Sequence, residues 1–226
     1  WFRLGDRDLA THLERTRLLA SGQTLTEVTR QLCSKLGVAV NLLPMSDAPI
    51  RTILDTDAGL LEFQDYFVRR HAEPRVTAIR YEGALRAPPA AALASLLTEP
   101  DLAAIFIAPS NPWLSIDPIL SIPSLAAALR SSTAPVIAIA PIVGGQALKG
   151  PTAKIMTELG LPVSAGAVAG HYRPLLDGFI LDDADSADAD ALIADGLAVG
   201  ATHTVMKTID DRIRLAEFAL GFAAPR

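Results

Sequence analysis

Three short segments concentrate the side chains that could do chemistry. Between Ala108 and Pro118, Ser110, Asn111 and Ser115 can donate neutral hydrogen bonds to a phosphate, a ribose or a base, and Pro109 and Pro112 stiffen the loop. Ordinary turn chemistry is the plainer reading, because Asn before Pro is a good turn former. Between Ala140 and Thr152, Gly144-Gly145 allows backbone N–H groups to approach an anion closely, and Lys149 adds a point charge. The helix that Thr152 opens presents its amino end to the same region. The competing reading is a structural Gly-Gly turn beside a solvated lysine. In Pro44–Thr52, Asp47 could bind a metal or orient a hydroxyl, and Arg51 could clamp a phosphate or carboxylate. A Ser-Asp pair ahead of a turn is also common. Neither GxxxxGK[ST] nor GxGxxG occurs, so the usual phosphate loops are excluded.

The elements needed to position these segments follow from periodicity. Residues 6–36 read as two helices broken at Gly22, with Thr24 or Thr26 as cap and Val28, Leu32 and Leu36 at four-residue spacing. Cys33, beside that stripe, reads as a structural thiol. Val38–Leu43 is a strand candidate. Arg51–Leu54 and Leu60–Phe63 flank a reversal signal at Asp55–Gly59, and Val76–Tyr81 is a further strand. From Pro88 onward, short apolar strands alternate with helices: strands at Leu102–Ala108, Val136–Ala140 and Phe179–Leu181, helices at Ala90–Leu97, Pro123–Ser131, Thr152–Leu159, Ala187–Asp195 and Ile209–Gly221. Ala165–Ala169 reads as strand or helix start. This alternation predicts an α/β sandwich around an open, largely parallel sheet. Residues 1–43 and 87–226 are assigned to that core and 44–86 to a small antiparallel-rich insertion lobe. Ligands in such sheets sit at the carboxyl ends of the strands, where the Ser110 and Gly144 segments fall.

Composition narrows the classes. The chain has 226 residues, half of them apolar and 20% charged, which excludes wholesale disorder. A net charge of -5 argues against a general nucleic-acid coat. One cysteine forms no internal disulfide and no Cys-rich metal site. No stretch approaches the roughly 18 uninterrupted apolar residues of a membrane span. The histidines make no HExxH pattern. Of these, His171 beside Tyr172 is a pocket candidate, while His12 and His203 read as structural or flanking. No GxSxG elbow is present. The acidic run Asp182–Asp190 lacks calcium-loop spacing and reads as a solvated loop and helix start.

Taken together, several segments carry a resemblance. Leu4–His12, Leu25–Thr29, Leu43–Thr52, Phe63–Arg69, Pro109–Pro112 with Ser115-Ile116 and Pro118–Leu120, Pro141–Gly145 with Ala147–Pro151, and Asp211-Arg212 occur in the order found in the 2-phospho-L-lactate transferase family of coenzyme F420 biosynthesis, which this sequence resembles over nearly its whole length. The resemblance implies a Rossmann-like three-layer core, a smaller lobe, a cytoplasmic homodimer and dependence on Mg2+. It implies transfer of a phospholactyl, phosphoenolpyruvyl or related group from a guanylated donor to the deazaflavin Fo, with release of GMP. Ser110, Asn111 and Ser115 would hold donor phosphate or guanosine, and Gly144, Gly145 and Lys149 would pack against nucleotide or phosphate. Asp47 would serve metal or acceptor, and Arg51 a phosphate or carboxylate. The family's N-terminal glycine-rich loop and Asn/Asp-rich stretch do not occur in this sequence, which opens on Trp1-Phe2-Arg3; the expectation is that the natural protein begins further upstream. Other nucleotide-dependent or NAD-binding α/β enzymes, and a non-catalytic nucleotide-binding subunit, are the alternatives.

Overall fold

A computed structural model describes residues 2–224. The chain opens with two helices, α1 (Asp6–Ala20) and α2 (Leu25–Lys35). Thr24 starts α2 with a capping box: its hydroxyl accepts from the Glu27 amide at 3.2 Å, and the Glu27 carboxylate accepts from the Thr24 amide at 2.8 Å. The strand expected at Val38–Leu43 does not form. Val38, Val40 and Leu42 alternate, but they are exposed, and no described strand pairs with them. Alternation makes a strand only where a ladder partner exists.

A three-stranded antiparallel sheet comes next, ordered β2-β1-β3 from β1 (Arg51–Thr56), β2 (Gly59–Glu62) and β3 (Val76–Glu82). A single π turn at Asp65–Arg69 lies between β2 and β3. Leu54, Leu61, Tyr66 and Val76 are buried and share one apolar cluster with Ile107, Trp113 and Ile155 from later in the chain.

The remaining elements alternate. They are α3 (Ala91–Leu96), β4 (Ile105–Ile107), a π turn Pro112–Ile116 running into α4 (Asp117–Leu120), α5 (Pro123–Ser131), β5 (Val136–Ile139), β6 (Ile142–Val143), β7 (Gln146–Ala147), α6 (Thr152–Glu158), α7 (Ala165–Tyr172), β8 (Gly178–Leu181), a 3-10 segment Asp183–Asp188, α8 (Ala189–Ala194), β9 (Ala198–Ala201) and α9 (Ile209–Ala223). Strands β4, β5, β8 and β9 pair in that order, all parallel, with Phe106 opposite Ile137, Ala138 opposite Phe179 and Ile180 opposite Gly200. Every residue of β5 and β8 is buried, as a sheet covered on both faces requires. One face packs Val136, Ala138, Phe179 and Leu181 against Ile155, Val168 and Leu192 of α6, α7 and α8. The other packs Ile137, Ile139 and Ile180 against Leu215 and Ala219 of α9. The result is the expected mixed α/β sandwich with a small antiparallel sheet. The Ala165–Ala169 ambiguity resolves as helix, started by the Ser164 hydroxyl accepting from the Ala167 amide at 3.0 Å.

Candidate active site

The carboxyl ends of β4, β5 and β9 open into one cleft of about 420 Å³. Pro109, Ser110, Asn111, Leu114 and Ser115 line it after β4, Ala140, Pro141 and Val143 after β5, and Thr204 and Met206 after β9. Leu148, Lys149, Gly150, Pro151 and Thr152 form another wall, and Phe63 and Phe67, in the segment between β2 and β3, close it. The location is the one that open parallel sheets reserve for ligands. Polar hydroxyls and one cation on an otherwise apolar wall suit an anionic ligand with a large flat part.

The geometry of each wall follows from local bonds. Asn111 starts the π turn: its Oδ1 accepts from the Leu114 amide at 2.9 Å, and its Nδ2 donates to the Thr152 hydroxyl at 3.1 Å. Both ends of the Asn111 amide are therefore engaged in fixing β4's loop to α6. Helix α6 is tied in turn to the antiparallel sheet, because Lys154 Nζ donates to the Pro74 carbonyl at 2.8 Å and pairs with Glu158 at 2.6 Å. Glu158 also accepts from the Val76 amide at 3.0 Å. Behind this contact the Tyr66 hydroxyl, fully buried, is pushed up to about 12 by burial and then by the Glu158 charge. On the β9 side, Asp182 accepts from both the amide and the hydroxyl of Thr204, at 2.7 and 3.1 Å. Burial opposes ionisation of Asp182, but the Thr204 and Ala184 amides outweigh it and hold the carboxyl below its ordinary value.

The residues singled out in the sequence separate into groups. Ser110, Asn111, Ser115 and Lys149 meet in the cleft. Arg51 lines a second cleft of about 390 Å³, with Met45, Ile50, Thr52, Glu62, Gln64, Pro118 and Ile119, and its guanidinium pairs with Glu62 at 3.2 Å. Phe63, Leu114 and Ser115 line both clefts, so the two adjoin there. Gly144 and Gly145 lie outside both linings. With φ of 56° and 72° they make the two-residue reversal between β6 and β7, and the Gly144 amide donates to Asp185 at 3.0 Å. The two-residue turn accounts for the conformation of this pair. Asp47 lies outside both clefts as well: its Oδ1 accepts from the Thr26 amide in the first turn of α2 at 2.7 Å.

Magnesium needs one or two carboxylates facing the substrate phosphates. Glu62 is the sole carboxylate among the lining residues of the two clefts, and it faces Arg51. Among the described residues there is no group of three or more His, Cys, Asp or Glu able to hold a metal. The linings of the two clefts therefore supply no Mg2+ site of their own. Thr152 lines the cleft at the start of the helix expected to face it, whereas Phe63, Phe67, Thr204 and Met206 were not expected. The four-residue spacing of Phe63 and Phe67 was the available signal, and their rings stack at 5.3 Å and 15°. Thr204 and Met206 reach the cleft only through the parallel pairing of β9.

Comparison with known proteins gives this site its context. The family model described as 2-phospho-L-lactate transferase CofD matches residues 1–208. The chain is 38% identical over 219 residues to the 2-phospho-L-lactate transferase of Methanosarcina acetivorans, covering 97% of this chain and 70% of that protein. It is 39% identical over 228 residues to the phosphoenolpyruvate transferase of Kitasatospora aureofaciens, covering 99% and 70%. A UPF0052-family crystal structure from Bacillus halodurans superposes with a TM-score of 0.58 at 14% identity, over 91% of this chain and 70% of that one. A second structure of the same Bacillus protein gives 0.62 at 15%, over 97% and 75%. These two agree in fold alone. No single helix among the described residues is long and apolar enough to cross a membrane. From a matched profile spanning most of its length and from relatives well above a third identical, the chain belongs to the 2-phospho-L-lactate transferase CofD family, a family of transferases.

Proposed function

We propose that this protein transfers a 2-phospholactyl, phosphoenolpyruvyl or related three-carbon phosphoryl group from a guanosine diphosphate-linked donor to the deazaflavin Fo in coenzyme F420 biosynthesis. The observation that carries the reading is the junction of the two clefts at Phe63, Leu114 and Ser115. A transfer between two large substrates needs two pockets with a shared boundary, because the attacking and leaving oxygens must lie roughly in line. The names of the relatives supply the class of group moved: 2-phospho-L-lactate in one and phosphoenolpyruvate in another.

In this reading the terminal hydroxyl of Fo attacks the phosphorus that bears the three-carbon acid. A new P–O bond forms to Fo, the bond from that phosphorus to the bridging oxygen of the diphosphate breaks, and GMP leaves with the electron pair. The hydroxyl proton passes to solvent. Lys149 offsets phosphate charge, and Ser110 and Ser115 donate to phosphate oxygens. The apolar faces of Phe63, Phe67, Leu114 and Met206 accept a flat ring. Arg51, paired among the described residues with an exposed glutamate, is available to a carboxylate or phosphate entering the second cleft. Asn111 acts by holding the loop. Asp47, Gly144 and Gly145 shape the frame around the clefts. The Mg2+ requirement, the cytoplasmic location and the homodimer belong to the same proposal, with no described residue assigned to the ion. The insertion lobe at residues 44–86 enters it as the part that supplies Phe63 and Phe67.

The test is turnover by the full-length gene product with Fo, Mg2+ and, separately, guanylated 2-phospholactate, phosphoenolpyruvate and 3-phosphoglycerate. The expected result is GMP release matched mole for mole by a phosphodiester product of Fo with one donor. Folded protein that yields neither GMP nor product with any of the three would overturn the reading.

A further inference from the structure

The back of the Pro112–Ile116 turn carries polar groups that the transfer does not use. His171 Nε2, on α7, lies 2.9 and 3.1 Å from the two oxygens of Asp117, the first residue of α4. The two side chains are 28% and 17% exposed, so the pair is largely withdrawn from water. The His171 ring leans on Trp113 with centroids 5.3 Å apart and meets Tyr172 edge-on at 5.1 Å. From β3, the Tyr81 hydroxyl donates to the Trp113 carbonyl at 2.6 Å and stands 3.5 Å from Asp117. The Tyr172 hydroxyl is buried without a hydrogen-bond partner among the described residues. Burial, followed by the Asp117 charge, raises both phenols well above their ordinary value, so both stay neutral at the pH of the cell.

We propose that the Asp117–His171 pair is a positioning device for the transfer reaction, fixing the turn whose opposite side presents Leu114 and Ser115 to both clefts. A π turn is one residue wider than a helical turn and persists where its surroundings hold it. Here the Asn111 cap holds its beginning and the Tyr81 bond its middle, through Trp113. Asp117 follows Ile116 directly, so the bridge to α7 holds its end. Ser115 lies between the last two restraints and at the junction of the clefts. Misplacing a group there by about 1 Å can cost a factor on the order of a hundred in rate, because alignment rather than affinity is lost. The kinetic part of this inference rests on the transferase reading. The structural part does not.

The test compares the full-length wild type with His171→Ala, His171→Gln and His171→Phe. Two quantities are read: amide hydrogen exchange across residues 113–117, which needs no substrate, and steady-state kinetics with the donor found active. In His171→Ala, exchange is expected to rise at least tenfold and kcat to fall at least tenfold, while KM for donor and for Fo each change less than threefold. His171→Gln keeps an N–H facing Asp117 and is expected within threefold of wild type in both readouts. If His171→Ala does not fold, His171→Phe retains the ring against Trp113 and Tyr172, lacks the N–H, and is expected to show the same losses. Wild-type exchange in the alanine and phenylalanine variants overturns the proposal. So does a rise in KM with kcat unchanged, or a glutamine variant as impaired as alanine. A wild type without turnover defeats the transferase reading, and the exchange comparison still decides whether the pair holds the turn.

Discussion

Lys149 and Asn111 both line the cleft, but their side chains are committed differently. Lys149 is exposed at the wall, beside Gly150 and Pro151. A charge-assisted bond from its ammonium to a phosphate is worth about 1.5–3 kcal/mol, a factor of roughly ten to a hundred. Lys149→Met is therefore expected to raise KM for the guanylated donor by that factor and leave KM for Fo within threefold; initial-rate kinetics with each substrate varied would show it. Asn111 spends its amide on Leu114 and Thr152. Removing a helix-start side chain costs about 1 kcal/mol, and the Thr152 hydroxyl, 2% exposed, would lose its donor. Asn111→Ala is expected to lower unfolding stability by about 2–3 kcal/mol. Asn111→Asp keeps the acceptor for Leu114 and is expected to lose less; urea titration separates the two. Such double use was not legible in the sequence. Asn before Pro announces a turn, but the partner at Thr152 is 41 residues away and is supplied by tertiary structure.

At the scale of elements, the helix docking on the second face of the parallel sheet depends on two strand glycines. A Cβ at Gly178 would lie 2.7 Å from Phe222 Cε1 and 3.3 Å from Ile137 Cγ1, and one at Gly200 would lie 3.0 Å from Phe218 and Phe222. The stacked rings of Phe218 and Phe222 thus rest directly on bare backbone. Overpacking of this kind costs about 1–3 kcal/mol. Gly178→Ala is expected to lose stability in that range by displacing α9, with a small effect on the clefts, which open at the other end of the strands; parallel denaturant and activity measurements check both. Helices α1 and α2, the β1–β2 hairpin, β3 and the later alternation were legible because each carries its own period, cap or turn residues. Val38–Leu43 misled because alternation says nothing about a ladder partner. Helix α7 stayed ambiguous because Ala165-Gly166-Ala167-Val168-Ala169 is small and apolar throughout and marks no face. The π turns at Asp65–Arg69 and Pro112–Ile116 left no trace, since one extra residue per turn is set by packing and caps rather than by local propensity.

For the whole molecule, pH and ligand should act through the same loops. Asp182 is 4% exposed, and its folded-state pKa lies below the ordinary carboxylate value. A carboxyl depressed in the folded state adds stability above its unfolded pKa and loses it as pH falls through the lower, folded-state value. Stability is therefore expected to be steady at neutral pH and to decline below about pH 4. Asp182→Asn is expected to flatten part of that decline. It is also expected to lower neutral-pH stability by about 1–3 kcal/mol, because the carboxylate accepts from Thr204 at Oδ2 and from the Ala184 amide at Oδ1, and an amide puts an NH2 at one of those two positions; thermal unfolding at a series of pH values tests both. The candidate site was legible in the same uneven way. Ser110, Ser115 and Lys149 could be found from residue type and from their place after strands. Gly144-Gly145 and Asp47 lie outside both linings, the first in the β6–β7 reversal and the second bonded to the amino end of α2, placements that only tertiary structure supplies. The central claim is that the cleft at the ends of β4, β5 and β9 takes the guanylated donor. The most direct measurement is amide hydrogen exchange of the full-length gene product with saturating GDP. Protection concentrated in residues 109–116 and 148–152 is the predicted result; protection confined to other segments, with these unchanged, would contradict it.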